Sequence, residues 1–232
     1  MTTVAIGDSG VANLASIQSA FRALDVVPLV TSDPEVFRSA SFGVVPGVGA
    51  FGAGMGALRN AGLDTAIIAR AEAGAPLLAV CLGMQMLGAG SEEDPGVAGL
   101  GIVDGVFERL QPGASIPHLG WNRVEAGPGT RLLSSGDAAF ANTYCLPEVP
   151  AGWAGASTVH GGTFVSAIER GRILATQFHP ELSGRFGMDL LRRWLADEPA
   201  AVPAGAAGRH TPRINPCLDV RDGRVVKGVK FQ

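Results

Sequence analysis

Lysine is almost missing: the chain carries two in 232 residues, Lys227 and Lys230, both at its C-terminal end. Nor is there an excess of either charge, with 18 Lys and Arg against 21 Asp and Glu. A basic footprint for nucleic acid and a polycationic patch for a membrane surface are thereby excluded. Cysteine is scarce too. Cys81, Cys145 and Cys217 are too few and too irregularly spaced for a disulfide framework or a zinc site, so a reducing cytoplasm is expected, with no metal and no cofactor. No apolar run approaches the ~18 residues that cross a bilayer, and the opening Met1–Asp8 lacks a charged n-region, so a soluble, unexported protein is expected.

What the chain does have is a sharp punctuation at its first cysteine. Pro76-Leu77-Leu78-Ala79-Val80 reads as a short buried strand, Cys81 follows, and Leu82-Gly83-Met84-Gln85-Met86-Leu87 opens as an apolar helix. Strand, tight turn and helix form a nucleophile elbow with Cys in the nucleophile's place. A thiol at a helix N-terminus meets unpaired N–H groups that favour its thiolate. Taken alone, a buried structural Cys is the better explanation of the segment, since free Cys is among the most buried residue types.

Far downstream, the apolar strand Ile173–Phe178 ends in His179-Pro180-Glu181. Proline biases His179 towards extended backbone, where residues two apart point the same way, so Glu181 is expected to orient the His179 ring. Nucleophile, base and orienting acid are then all present.

In chain order, Thr3–Gly7, Val26–Val30 and Phe42–Val45 read as parallel strands, with helices over 13–24 and 63–73. The glycine-rich Pro46–Gly52 reads as a loop able to aim N–H groups at an oxyanion. Short strands at 102–107, 140–145, 157–160 and 164–168 suggest antiparallel additions, and a helix over 187–195 presents Leu190, Leu191 and Trp194 on one face. The expected fold class is α/β, a mostly parallel central sheet flanked by helices with antiparallel additions. Residues 1–197 form the main domain, 198–211 a linker whose Ala200–Gly208 run of Ala, Gly, Pro and Val carries no charge, and 212–232 a piece too small to bury a core of its own, reading as strand, Asp-Gly turn, strand.

Four motifs carry a resemblance: Pro46-Gly47-Val48-Gly49-Ala50-Phe51, Cys81-Leu82-Gly83-Met84-Gln85, Pro117-His118-Leu119-Gly120-Trp121-Asn122 and Gln177-Phe178-His179-Pro180-Glu181. Residues 1–197 resemble the glutaminase subunits of imidazole glycerol phosphate synthases, which are class I glutamine amidotransferases. The tail Arg213–Lys227 resembles the first strand and loop of the cyclase of the same enzyme, a (β/α)8 barrel, in which Asp219 would be catalytic and Lys227 would bind substrate.

The resemblance implies a catalytic triad of Cys81, His179 and Glu181. The oxyanion would be met by the N–H of Leu82 and by a loop N–H at Gly47 or Val48 after that peptide rotates. Glutamine would be held by Gly49, Gln85, Glu93, Thr143 and Tyr144. A cyclase partner would dock at Asn13, Trp121 and Asn122 and receive the ammonia, making imidazole glycerol phosphate and aminoimidazole carboxamide ribonucleotide. Three positions depart from the family: Leu182 where Lys is common, Ala12 for a Gly, and Asn142 for a His. A glutaminase serving a different synthase, or a docking protein without turnover, remain the alternative readings.

Overall fold

The computed structural model describes residues 3–8, 10, 13–111, 113 and 115–200, and the backbone of 220–221 and 224–225. The chain divides into two units, Met1–Ala201 and Val202–Gln232. Elements of the first unit run in the order β1 (Val4–Gly7), α1 (Leu14–Arg22), β2 (Leu29–Thr31), α2 (Pro34–Ser39), β3 (Phe42–Gly47), α3 (Phe51–Asn60), α4 (Leu63–Glu72), β4 (Leu77–Cys81) and α5 (Leu82–Leu87). After them come β5 (Gly90–Ser91), β6 (Val106–Arg109), β7 (His118–Ala126), β8 (Gly136–Asn142), β9 (Tyr144–Cys145), β10 (Ala154–His160), β11 (Gly162–Arg170), β12 (Ile173–Thr176), a 3₁₀ turn (Pro180–Leu182) and α6 (Gly184–Ala196). The second unit holds β13 (Val220–Arg221) and β14 (Arg224–Val225), which pair antiparallel. Asp219, Lys227 and residues 201–211 of the expected linker lie outside the described residues.

Nine strands form one sheet in the order β2-β1-β3-β4-β12-β11-β10-β7-β8. From β2 to β12 the pairs are parallel, and from β12 to β8 they are antiparallel. The sheet is therefore evenly mixed, where the sequence suggests a mostly parallel one. Much of the discrepancy is β7, whose interior glycine, Trp, Asn and Arg hide a nine-residue strand.

Strands β1, β4 and β12 are buried along their whole length, as expected of strands covered on both faces. Alternate residues feed two cores. Val4, Ile6, Val44, Leu78 and Val80 pack with Ile17 and Phe21 of α1 and with Leu190, Leu191 and Trp194 of α6. Ala5, Val45, Leu77 and Ala79 pack on the other face with Phe51, Met55, Leu63 and Ile67 of α3 and α4. Each large apolar side chain buried in this way contributes about 1.5–3 kcal/mol. Helix α2 starts on Asp33, which accepts from Glu35 N at 2.8 Å and Val36 N at 3.3 Å, with Pro34 at its first position.

Two strands lie elsewhere than the sequence suggests. Val26 N donates to Phe21 O at 3.0 Å, closing α1, so β2 begins only at Leu29. Leu100, Gly101, Ile102 and Val103 send their N–H groups to carbonyls of Met86, Gly88 and Leu87 at the end of α5, so β6 begins at Val106.

Candidate active site

The strand β4 hands directly over to α5, and Cys81 at the junction holds φ 56° and ψ −111°. Such backbone costs a non-glycine residue of order 1–3 kcal/mol and persists only where the surroundings enforce it. Here the enforcement is the close approach of α5 to β3. A Cβ on Gly83 would lie 2.0 Å from Val45 O, and one on Gly47 would lie 2.9 Å from both Gly83 N and Leu82 Cβ. Gly47 also stands opposite Cys81 in the β3–β4 ladder, so the Gly47-Val48-Gly49 turn runs beside the first turn of α5. Gly49 has φ +98° and open space around it, while Val48 is exposed. Of the expected oxyanion residues, Gly47 thus pairs with Cys81 across the ladder and Leu82 follows it in the chain, with Val48 next to Gly47 and exposed.

His179 arrives from β12, the strand paired to β4. Its backbone is clamped: His179 N donates to Ala139 O at 2.9 Å, and Ser183 Oγ donates to His179 O at 2.6 Å while accepting from Ala139 N. The Nδ1 of its ring lies 2.9 Å from Glu181 Oε1. Glu181 reaches it from the first residues of a 3₁₀ turn and not, as the proline suggests, from an extended segment. Burial by itself would lower the His179 pKa, but hydrogen bonds and charge from Cys81 and Glu181 outweigh it and raise the value to about 10. The direction of the shift favours the charged form of the ring.

The expected substrate residues divide into two groups. Gln85, 5% exposed, donates to Gln177 Oε1 at 3.2 Å and to Tyr144 O at 3.4 Å. Thr143 lies in the bend before Tyr144, its carbonyl accepting from Leu110 N. Glu93 is already engaged: its Oε2 accepts from Phe51 N at 2.8 Å, and Asp94 accepts from Gly52 N at 2.7 Å, so two carboxylates cap α3 just past the Gly47–Gly49 turn.

Of the expected docking residues, Asn13 caps α1, its side chain accepting from Ser16 N. Trp121 and Asn122 are adjacent on β7 and so point to opposite faces. Trp121 is 37% exposed, in a row with exposed Leu119; Asn122 turns inward, donating to Val159 O at 2.9 Å. Among the described residues no group of acidic, His or Cys side chains could hold a metal ion.

The family model for "Glutamine amidotransferase class-I" matches residues 5–197. The chain belongs to this amidotransferase family. It is 40% identical over 198 residues to "Imidazole glycerol phosphate synthase subunit HisH" of Symbiobacterium thermophilum, covering 84% of this chain and 93% of that one. The HisH subunit of Methanothermobacter thermautotrophicus is 40% identical over 195 residues, 83% of this chain and 97% of that one. "Imidazole glycerol phosphate synthase hisHF, chloroplastic" of Arabidopsis thaliana is 34% identical over 230 residues, covering 95% of this chain but 39% of that one. A solved structure titled "Crystal structure of glutamine amidotransferase" shares the fold, with TM-score 0.68 at 19% identity over 85% of this chain and 98% of that one.

Three features of this amidotransferase site escape a reading of its sequence. They are the amide of Gln177, the Ser183 clamp and the Ala141 carbonyl, which lies 3.9 Å from Cys81 Sγ. Each depends on which strands lie side by side, and short-range pattern does not carry that.

Proposed function

We propose that this amidotransferase hydrolyses glutamine to glutamate and ammonia, as the glutaminase subunit of an imidazole glycerol phosphate synthase in histidine biosynthesis. The observation that carries it is the pairing of the strained Cys81 elbow with a His179 ring whose Nδ1 lies 2.9 Å from Glu181 Oε1. Cys81 attacks the side-chain amide carbon of glutamine, and the tetrahedral intermediate's oxygen is met by N–H groups of Leu82 and of the Gly47-Val48-Gly49 turn. Losing one such donor costs about 3 kcal/mol. His179 gives its proton to the departing ammonia, leaving a thioester, and then takes a proton from the water that hydrolyses it. Glu181 fixes the ring's tautomer throughout.

Gly49, Gln85, Glu93, Thr143 and Tyr144 are the proposed glutamine contacts, Glu93 leaving Phe51 N for the substrate's ammonium. The cyclase partner is proposed to dock around Asn13, Trp121 and Asn122, with Trp121 presented outward and Asn122 reaching the partner only if its side chain leaves Val159 O. Leu119, Trp121, Val159 and Leu182 expose 37–69% of their surface, an apolar set that favours a protein partner. For the tail, we propose the beginning of a cyclase barrel, with residues 198–211 as the linker and Asp219 and Lys227 in the family's cyclase roles. The match to the Arabidopsis chain supports this, since it runs over 95% of the present chain where the separate subunits stop at 83–84%. One strand of a barrel has no cyclase activity by itself.

The test is glutamate release by the chain alone, then with a separate cyclase subunit and its nucleotide ligand. Strong stimulation by the liganded cyclase is expected. Silence under both conditions would overturn the reading, and full activity without the partner would overturn the coupling.

A further inference from the structure

Gln177 is fully buried, 0% exposed, at the end of β12. Its backbone N–H is already satisfied by Ser166 O at 2.9 Å. Its side-chain amide has two partners: Oε1 accepts from Gln85 Nε2 at 3.2 Å, and Nε2 lies 3.8 Å from Cys81 Sγ. The orientation of this amide is fixed by its neighbour. Gln85 Nε2 also faces the carbonyl of Tyr144, which can only accept, so Gln85 must present its donor end to Gln177. Gln177 must then turn its oxygen to Gln85 and its NH₂ to the sulfur. A buried amide donor without a partner is costly, and the sulfur is the partner on offer.

Cys81 Sγ therefore sits among three unlike groups. The Ala141 carbonyl of β8, 3.9 Å away, can only accept and so suits the protonated thiol. The His179 ring, whose pKa the sulfur and Glu181 raise, is the titratable side chain acting on Cys81 among the described residues, with Glu181 Oε1 2.9 Å from its Nδ1. Gln177 can only donate towards the sulfur, and a donor is worth more to an anion than to a neutral thiol. It is also uncharged, so it adds this preference without competing with the His179 proton.

We infer that Gln177 is a positioning residue for the nucleophile: its amide, oriented by Gln85, aims the Cys81 sulfur and stabilises its thiolate. The inference rests on Cys81 being the nucleophile, as proposed above. Gln177 and His179 are two apart on the chain and both serve the sulfur, one by a neutral dipole and one by a mobile proton. Gln85, four residues beyond Cys81 on α5, closes the set, so the elbow helix and the His179 strand are joined through two amides at the reacting atom.

The test is the pH dependence of Cys81 alkylation by iodoacetamide in the full chain, read by peptide mass spectrometry. That readout separates Cys81 from Cys217 and from Cys145, whose burial pushes its thiol up to about 12. For Gln177→Leu, which keeps the bulk and deletes the amide, the midpoint is expected to rise by about one pH unit, a tenfold loss of thiolate at a given pH. Gln177→Glu keeps an acceptor for Gln85 and turns an anion on the sulfur, so its midpoint should rise at least as far. Gln177→Glu carries the test alone if Gln177→Leu fails to fold. In glutamine hydrolysis both should lower kcat about tenfold with KM within about twofold. Folded variants with the wild-type alkylation midpoint would overturn the inference. Alkylation needs neither glutamine nor a cyclase, so a chain silent in glutamine hydrolysis with and without the liganded cyclase would refute the proposed function and still report on Gln177.

Discussion

Nδ1 of His179 and Oε1 of Glu181 are 2.9 Å apart although a proline stands between the two residues. The 3₁₀ turn that begins at Pro180 tucks the carboxylate back under the ring, leaving the Glu181 side chain 5% exposed. In that position the charge of Glu181 acts through little water and holds the ring's orientation as well as its proton.

Glu181→Gln keeps the shape of the contact and removes the charge. The NMR titration midpoint of the His179 ring is expected to fall from about 10, and kcat/KM for glutamine to drop at least about 100-fold. An unchanged midpoint would show that Cys81 alone holds the proton.

Cys81→Ala is expected to end glutamine hydrolysis while leaving cyclase binding intact. Cys81→Gly should do the same and melt higher than Cys81→Ala, because glycine accepts φ 56° without the strain that alanine keeps. The difference should be about 1 kcal/mol, or roughly 2–4 °C in Tm for a domain of this size. Equal melting points would mean that the backbone relaxes when the sulfur goes.

Gly83 and Gly49 separate two ways in which a glycine is required. A methyl group on Gly83 collides with Val45 O, a backbone atom that cannot yield, so Gly83→Ala should lose more than about 3 kcal/mol in urea unfolding. Gly49→Ala meets open space and carries only its φ of +98°, so it should fold with a cost of about 1–2 kcal/mol. Its glutaminase rate should nonetheless fall sharply, since the turn that supplies the proposed oxyanion donor can no longer adjust. A stable and fully active Gly49→Ala protein would place that donor elsewhere.

Two histidines should shape the pH dependence of stability from opposite sides. His179, raised from 6.5 to about 10, lends stability that is complete below pH 6.5 and is lost as pH rises through about 10. His118, pushed down to about 4 by burial and by the neighbouring His160, is neutral in the fold. Its stability is complete above pH 6.5 and is lost as pH falls towards 4. The ring stacks on Phe140 at 4.6 Å and on His160 at 3.9 Å between centroids, so His118→Phe preserves the packing without the proton. The drop in Tm between pH 6.5 and 4.5 should shrink in that variant and persist in Glu181→Gln, which should instead flatten the alkaline side.

The elbow was legible in the sequence because a buried parallel strand is a run of apolar residues, and a run that ends on Cys and Gly announces its own turn. His179 and Glu181 were legible by their residue types, but the 3₁₀ turn that joins them was not, since Pro180 fits the first position of such a turn as well as it ends an extended one. Gln177 sits inside a motif quoted for its histidine, and nothing local tells that its side chain turns inward to Gln85, far away in the chain. Strand β7 was hidden because only one face of it is buried at intervals, His118 and Val124, with Leu119, Trp121 and Arg123 looking out. With β7 unread, the antiparallel half of the sheet looked smaller than it is.

The placement of β12 beside β4 also sets when the molecule becomes reactive. Ninety-six residues separate Cys81 from Gln177, and the strand that brings Gln177 and His179 is the last to enter the nine-stranded sheet. A chain emerging from the ribosome therefore exposes its thiol without an imidazole for as long as β12 remains in the exit tunnel. The proposed triad can be assembled only once this closing strand is in place.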